Sequence, residues 1–233
     1  MRILLASLLA VIAVLPTRAG DERIKTVLID NPRGDDPIRI VKVMQGATAL
    51  ENDERQYSNR YAWESAFYAG DDWPDTLSLV IKNVSTKKIV YISAGCYLEE
   101  TASWQDEHST RRSTPLPGAI GNSIGRRPEQ GLYSGLLSRK LGPDTDRPPF
   151  ELAPEQEFTL PLEDPEEYLN LKSGIEEKEP ISRITACSGG VAQVFFDDGT
   201  QWQGHRYLRA DPDQPGHWMK MSLEEWLSAK STK

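Results

Sequence analysis

Three histidines, two cysteines and 35 carboxylates are the side chains of this 233-residue chain that could do acid–base, nucleophilic or metal chemistry. His108, His205 and His217 are scattered with no His-x-x-x-His spacing, and neither Cys96 nor Cys187 belongs to a Cys-x-x-Cys pair. A tetrahedral zinc site therefore has no local framework. Carboxylates double up at Asp71-Asp72, Asp197-Asp198 and Asp211-Pro212-Asp213. Calcium takes such oxygen ligands, but the EF-hand spacing is missing and aspartates in pairs ordinarily make turns. Paired carboxylates could also serve as acid and base in hydrolysis, yet among so many acids no pair is singled out. No Ser/His/Asp nucleophilic system, metal or cofactor is expected, and no residue is assigned a catalytic role.

Binding chemistry has more to work with. Six tryptophans occur, at 63, 73, 104, 202, 218 and 226. Trp63 follows Tyr57 and Tyr61 and precedes Tyr68, so exposed rings here could stack on sugars, although large aromatics more commonly fill a core. Arg111, Arg112, Arg126 and Arg127 stand out in a chain of net charge −8. They could pair with the acidic body or receive an anionic partner. Trp63, Trp73, Trp104 and these four arginines are the candidate binding residues.

The elements that must hold these residues begin with a leader. Met1-Arg2 is followed by an apolar run, Ile3 to Leu15, and then by Thr17-Arg18-Ala19 before the charged Asp21-Glu22-Arg23. This is signal-peptide order, with cleavage expected after Ala19 and export to the periplasm or the exterior. The run is shorter than the roughly 20 residues that span a bilayer, and no later segment is apolar enough to do so. Losing Arg2 and Arg18 takes the formal charge from −8 to −10, which disfavours nucleic acid as a partner. Export makes a Cys96 to Cys187 bridge permissible. Two separately buried thiols are the alternative.

Beyond the leader, apolar residues recur with a period of two. Leu77, Leu79 and Ile81 alternate with Ser78, Val80 and Lys82, and the alternation resumes at Val90, Ile92, Ala94, Cys96 and Leu98 after the turn Asn83 to Lys88. This predicts an antiparallel hairpin. Asn83-Val84-Ser85 has the form of a glycosylation sequon but is expected to serve the turn. Further strands are predicted at 26–30, 38–44, 158–162, 181–187, 191–196 and 201–208, with Asp198-Gly199 as a type I′ turn. Ser222-Leu223-Glu224-Glu225 has capping-box spacing, which predicts a short C-terminal helix that docks Trp226; residues 164–171 could add another helical turn. Between Glu99 and Glu151 the alternation fails in a stretch rich in Arg, Gly and Pro, with one apolar island at 132–137. The expectation is one domain, 20–233, mainly β: an immunoglobulin-like antiparallel β-sandwich with a long loop insertion at about 99–151 and a short C-terminal helix.

The segments Phe67 to Trp73, Lys82 to Ile89 and Phe195 to Trp202 resemble stretches of exported bacterial β-sandwich proteins with no assigned function. Together they cover about a tenth of the chain. The resemblance implies an exported sandwich and no particular activity, and it does not extend to the 99–151 excursion. With no catalytic signature, the expected function is that of a secreted, non-enzymatic module whose excursion meets a protein or glycan partner. A carbohydrate-binding or carbohydrate-active module using Trp63, Trp73 or Trp104 with nearby carboxylates is the alternative, and a structural envelope protein is a third.

Overall fold

A computed structural model describes residues 23–32, 34–57, 60–99, 119–125, 148–162, 172–173, 176, 182, 184–214 and 217–229. The leader, residues 132–137 and 164–171, Trp104, and the arginines at 111, 112, 126 and 127 lie outside the described residues.

The fold is mainly β, with two sheets and one short C-terminal helix among the described residues. The smaller sheet has the order β3 (Thr48–Ala49), β2 (Ile38–Gln45), β6 (Leu77–Asn83), β9 (Glu157–Pro161). Its central strands bury Ile38, Ile40, Val43, Leu79 and Ile81. Pro161, which lacks an N–H to donate, ends the outermost strand.

The larger sheet has nine strands and forks. Its spine is β10 (Ala186–Phe196). One edge of β10 pairs along its whole length with β7 (Ile89–Glu99), which in turn carries β8 (Ala119–Gly125). The other edge is shared. Ala186 to Gly190 pair in parallel with β1 (Arg23–Asp30), followed by β5 (Arg60–Ala69) and β4 (Asp53–Tyr57). Gln193 to Phe195 pair with β11 (Thr200–Gln203), followed by β12 (Arg206–Ala210) and β13 (Trp218–Met221). A bulge between Val191 and Gln193 marks the point of division.

Two expectations change here. The sheet is not wholly antiparallel, because β1 and β10, far apart in sequence, meet in parallel with no hairpin to dictate their direction. The excursion is not wholly irregular either, because β8 lies inside it and pairs residue by residue with β7.

One apolar core draws on both sheets. Val27, Ile29, Ile92, Cys96, Leu98, Ile120 and Val194 come from the larger, and they join Ile38, Leu79, Ile81 and Leu160 of the smaller. The opposite, outer face of the large sheet carries a second cluster of Tyr91, Phe195, Leu208 and Trp218. There the Phe195 ring meets Tyr91 and Trp218 edge-on.

The turns differ in detail from the sequence reading. At Asp198-Gly199 only Gly199 has positive φ (80°), and Gly199 N–H donates to Phe196 O at 3.1 Å. This is a three-residue hairpin with glycine in the left-handed position, and not a type I′ turn. The two-residue turn with both centres at positive φ is at Gly204 (52°) and His205 (63°), which closes β11 onto β12 and splits the run 201–208 into two strands.

Asn83 makes its turn from the inside. It is fully buried, its Nδ2 donates to Lys87 O and Leu152 O, and its Oδ1 accepts from Ser85. The helix α1 (Leu223–Ser228) begins with the expected capping box between Ser222 and Glu225, and buries Trp226.

Candidate functional site

The fork decides which side chains meet. β1 runs out at Asp30, beside Gly190, and β11 starts pairing with β10 three residues further on, at Gln193. The tip of the β11–β12 hairpin therefore faces the end of β1 and the loop that leaves it. His205 sits at that tip. Its Nδ1 lies 2.7 Å from Asp36 Oδ2, and its Nε2 lies 3.9 Å from Asp30 Oδ2, an ion-pair contact rather than a hydrogen bond.

The surroundings fix this arrangement. Trp202, buried beneath the turn, donates its Nε1 to Asp36 Oδ1 at 2.8 Å and sets its ring edge-on to the imidazole. Tyr207 donates its hydroxyl to Asp35 O. Arg39 donates to Asp36 O and Gly34 O, which braces the loop. Asp30 and Asp36 push the His205 pKa up to about 9 against a smaller opposing effect of burial. Burial first, and then Asp36 and Asp35, raise that of Tyr207.

At neutral pH His205 is therefore an imidazolium with a carboxylate at each nitrogen. A general base needs one nitrogen open and a pKa near the working pH. This ring, held charged at neutral pH by Asp30 and Asp36, lacks the second.

A second buried cation lies at the other end of β1. Lys25 is fully enclosed on the core face. Its Nζ donates to Ile184 O at 3.1 Å and stands 3.5 Å from Asp71 Oδ1. Burial lowers its pKa, against the raising effect of Asp71. Its role there is to join β1, the Asp71 turn and the segment entering β10.

The candidate aromatics divide. Trp73 is enclosed, donates its Nε1 to the same Ile184 O at 3.3 Å and packs edge-on against Phe67, so its ring face is not offered to a ligand. Trp63 is half-buried and packs against the core. Among the described residues the exposed rings are two tyrosines, Tyr68 from the aromatic group noted around Trp63 and Tyr97, neither of them among the candidate binding residues. Tyr68 on β5 is 70% exposed, and its directly opposed partner on β1, Ile24, is 56% exposed. Tyr97 on β7 shares their outer face through the row Leu28, Ser188, Tyr97.

The expectation of no nucleophilic serine assumes that a Gly-x-Ser-x-Gly context is absent, and that assumption is wrong. Gly121-Asn122-Ser123-Ile124-Gly125 has the Gly-x-Ser-x-Gly form of a nucleophile elbow. Such an elbow is a sharp turn from strand to helix. Here the five residues lie within β8, with Ser123 opposite Ser93 on β7, so the serine stands in a paired strand and not on the sharp turn that the motif requires.

Cys96 and Cys187 are both buried, on adjacent strands. No group of three or more His, Cys, Asp or Glu side chains among the described residues is placed to hold a metal ion. No helix among them is long and apolar enough to cross a membrane.

No family model matches the chain. Neither a curated protein nor a solved structure matches it either.

Proposed function

We propose that this protein is an exported, non-enzymatic binding module with an immunoglobulin-like β-sandwich as its scaffold, and that it meets a protein partner on the outer face of the large sheet. The observation that carries this reading is the Ile24–Tyr68 pair, two large apolar side chains held directly opposite each other and both more than half exposed. Single exposed apolar residues are ordinary, but a cross-strand pair on a rigid sheet, with Tyr97 on the same face, forms a surface that gains from being covered. Tyrosine suits such a surface because it offers a large area at little entropic cost. The state of His205 supports the non-enzymatic part, since Asp36 engages its Nδ1 and the two neighbouring carboxylates hold the ring charged.

Export follows from the leader and from the resemblance to exported bacterial proteins, and the destination is the periplasm or the exterior. A glycan-binding reading draws on the same tyrosines, because exposed phenol rings can stack on sugars.

The test is photo-crosslinking from Tyr68 and Tyr97 in the mature protein, with mass mapping, set beside an Ile24→Ser/Tyr68→Ser variant whose near-UV circular dichroism matches the parent. A single protein crosslinked at both tyrosines and lost in the variant is the expected result. A partner retained by the variant sinks the assignment of the face. Saturable binding of an oligosaccharide that the variant loses replaces the protein partner with a glycan.

A further inference from the structure

The register of the central ladder places the two cysteines on a diagonal. Cys96 on β7 pairs with Gly189 and Cys187 on β10 pairs with Leu98, so both thiols point to the core face and stand two positions out of register. In a regular ladder such diagonal neighbours are about 7 Å apart, more than the roughly 4 Å between Cβ atoms of a disulfide.

Gly189 shortens the gap. A Cβ added there would lie 2.5 Å from Cys96 Cα and 2.6 Å from Cys96 Cβ. β7 therefore lies closer to β10 at this step than any residue with a side chain would allow. The cysteines are brought near disulfide distance, in the middle of the sheet, with Val27 and Leu98 packed on the same face.

We propose that Cys96 and Cys187 close a cross-strand disulfide as the chain folds under oxidising conditions, and that this bond fixes the spine of the forked sheet. One thiolate attacks the S–S bond of a disulfide oxidant, protein or glutathione, and expels one of its sulfurs. The second thiolate then displaces the other sulfur. The Sγ–Sγ bond forms, the oxidant's S–S bond breaks, and the oxidant leaves as two thiols carrying the two electrons and the two protons.

Both sulfurs are enclosed in the folded protein, with Cys96 0% and Cys187 1% exposed. Oxidation must therefore come before the β7–β10 ladder closes, and the finished bond is shielded from reductant until the sheet opens. The loop it closes holds about 90 residues, so loss of the bond should raise the unfolding constant on the order of a thousandfold. In the cell the bond depends on the export proposed above, and refolding in a defined redox buffer separates the two ideas.

The experiment starts from mature chain that is fully reduced and unfolded in guanidinium, then refolded by dilution with or without oxidised glutathione. Each product is unfolded again, alkylated without reductant and weighed. With glutathione the expected product takes up no alkyl group and is lighter by two hydrogens. It should also unfold at higher guanidinium than the product refolded without oxidant, and dithiothreitol should leave it intact until denaturant is added. A natively folded product of the glutathione refolding with both thiols alkylated overturns the proposal, as does an oxidised product no more resistant to guanidinium than the reduced one. Failure of export registers differently, as chain recovered from the cytosol with Met1 still in place, and leaves the refolding result standing.

Discussion

The Nζ of Lys87 lies 4.6 Å from the centroid of the Trp226 indole while donating to Trp226 O and to Asp198 Oδ2, each at 2.5 Å. One cation thus ties the β6–β7 turn, the β10–β11 hairpin and the C-terminal helix together, and Thr200 extends the link by accepting from Trp226 Nε1 and donating to Asp198. Both charged side chains are buried, at 6% and 1% exposure. Removing one charge strands the other. Lys87→Ala should cost about 3–5 kcal/mol, while Lys87→Met combined with Asp198→Asn should recover much of that loss. Urea unfolding of the three chains checks this, and equal costs for the single and double variants would deny the coupling.

The clamp on His205 makes stability depend on pH in a defined direction. Its folded pKa of about 9 lies above the ordinary value of 6.5. The stabilisation is therefore fully present below pH 6.5 and is lost as pH rises through 9. Because the ring is nearly half exposed, screening reduces the contribution to about 1–2 kcal/mol. Guanidinium unfolding followed from pH 6 to pH 10 should show this decline, and His205→Gln should flatten it.

Asn83 satisfies four polar groups from within the β6–β7 turn. Asn83→Ala should cost about 2–3 kcal/mol, since buried carbonyls and a hydroxyl lose their partner. Expressed in a host that glycosylates Asn-x-Ser sites, the folded chain should carry no glycan at Asn83, because the side chain has no exposure. Intact mass of the secreted product reads this directly.

Two glycines should respond differently to the same methyl group. At Gly95 a Cβ would lie 2.7 Å from Ile120 O and 3.2 Å from Gly121 Cα, which would push β8 off β7. Gly95→Ala should cost about 1–3 kcal/mol. At Gly70 a Cβ meets nothing within 4 Å, and Gly70→Ala should leave the thermal midpoint within a degree or two. Thermal melts of both variants test whether the close approach of β7 and β8 is the cause.

The strands that show in the sequence are those with one buried face and one wet face. β6 and β7 alternate because Leu79, Ile81, Ile92, Cys96 and Leu98 enter the core while their neighbours face outward. β5 is harder to read, because Ser65 takes a core position between Trp63 and Phe67 while Ala62 and Ala66 face out. β8 is hidden by its composition. Only Ile120 and Ile124 mark its core face, with Asn122 between them and glycines where the strands crowd.

The capping box at Ser222 is legible because its chemistry is local. The His205 site is not, because Asp30, Asp36 and His205 share no spacing rule. Only the division of β10 between β1 and β11 brings them together, and that pairing spans nearly the whole chain.

The shared edge of β10 also imposes an order of events. β1 has its antiparallel neighbour β5 early, but its parallel partner lies about 160 residues further along, at Ala186 to Gly190. The β11–β13 arm has nothing to grow from until the same strand is available. A chain emerging from its N-terminus therefore keeps one edge of its first strand open until the last quarter of the sequence arrives. Closure of the large sheet is a late and long-range event, slow by the measure of contact order. Until then the nascent chain exposes an unfilled strand edge, the hazard that a holding chaperone relieves.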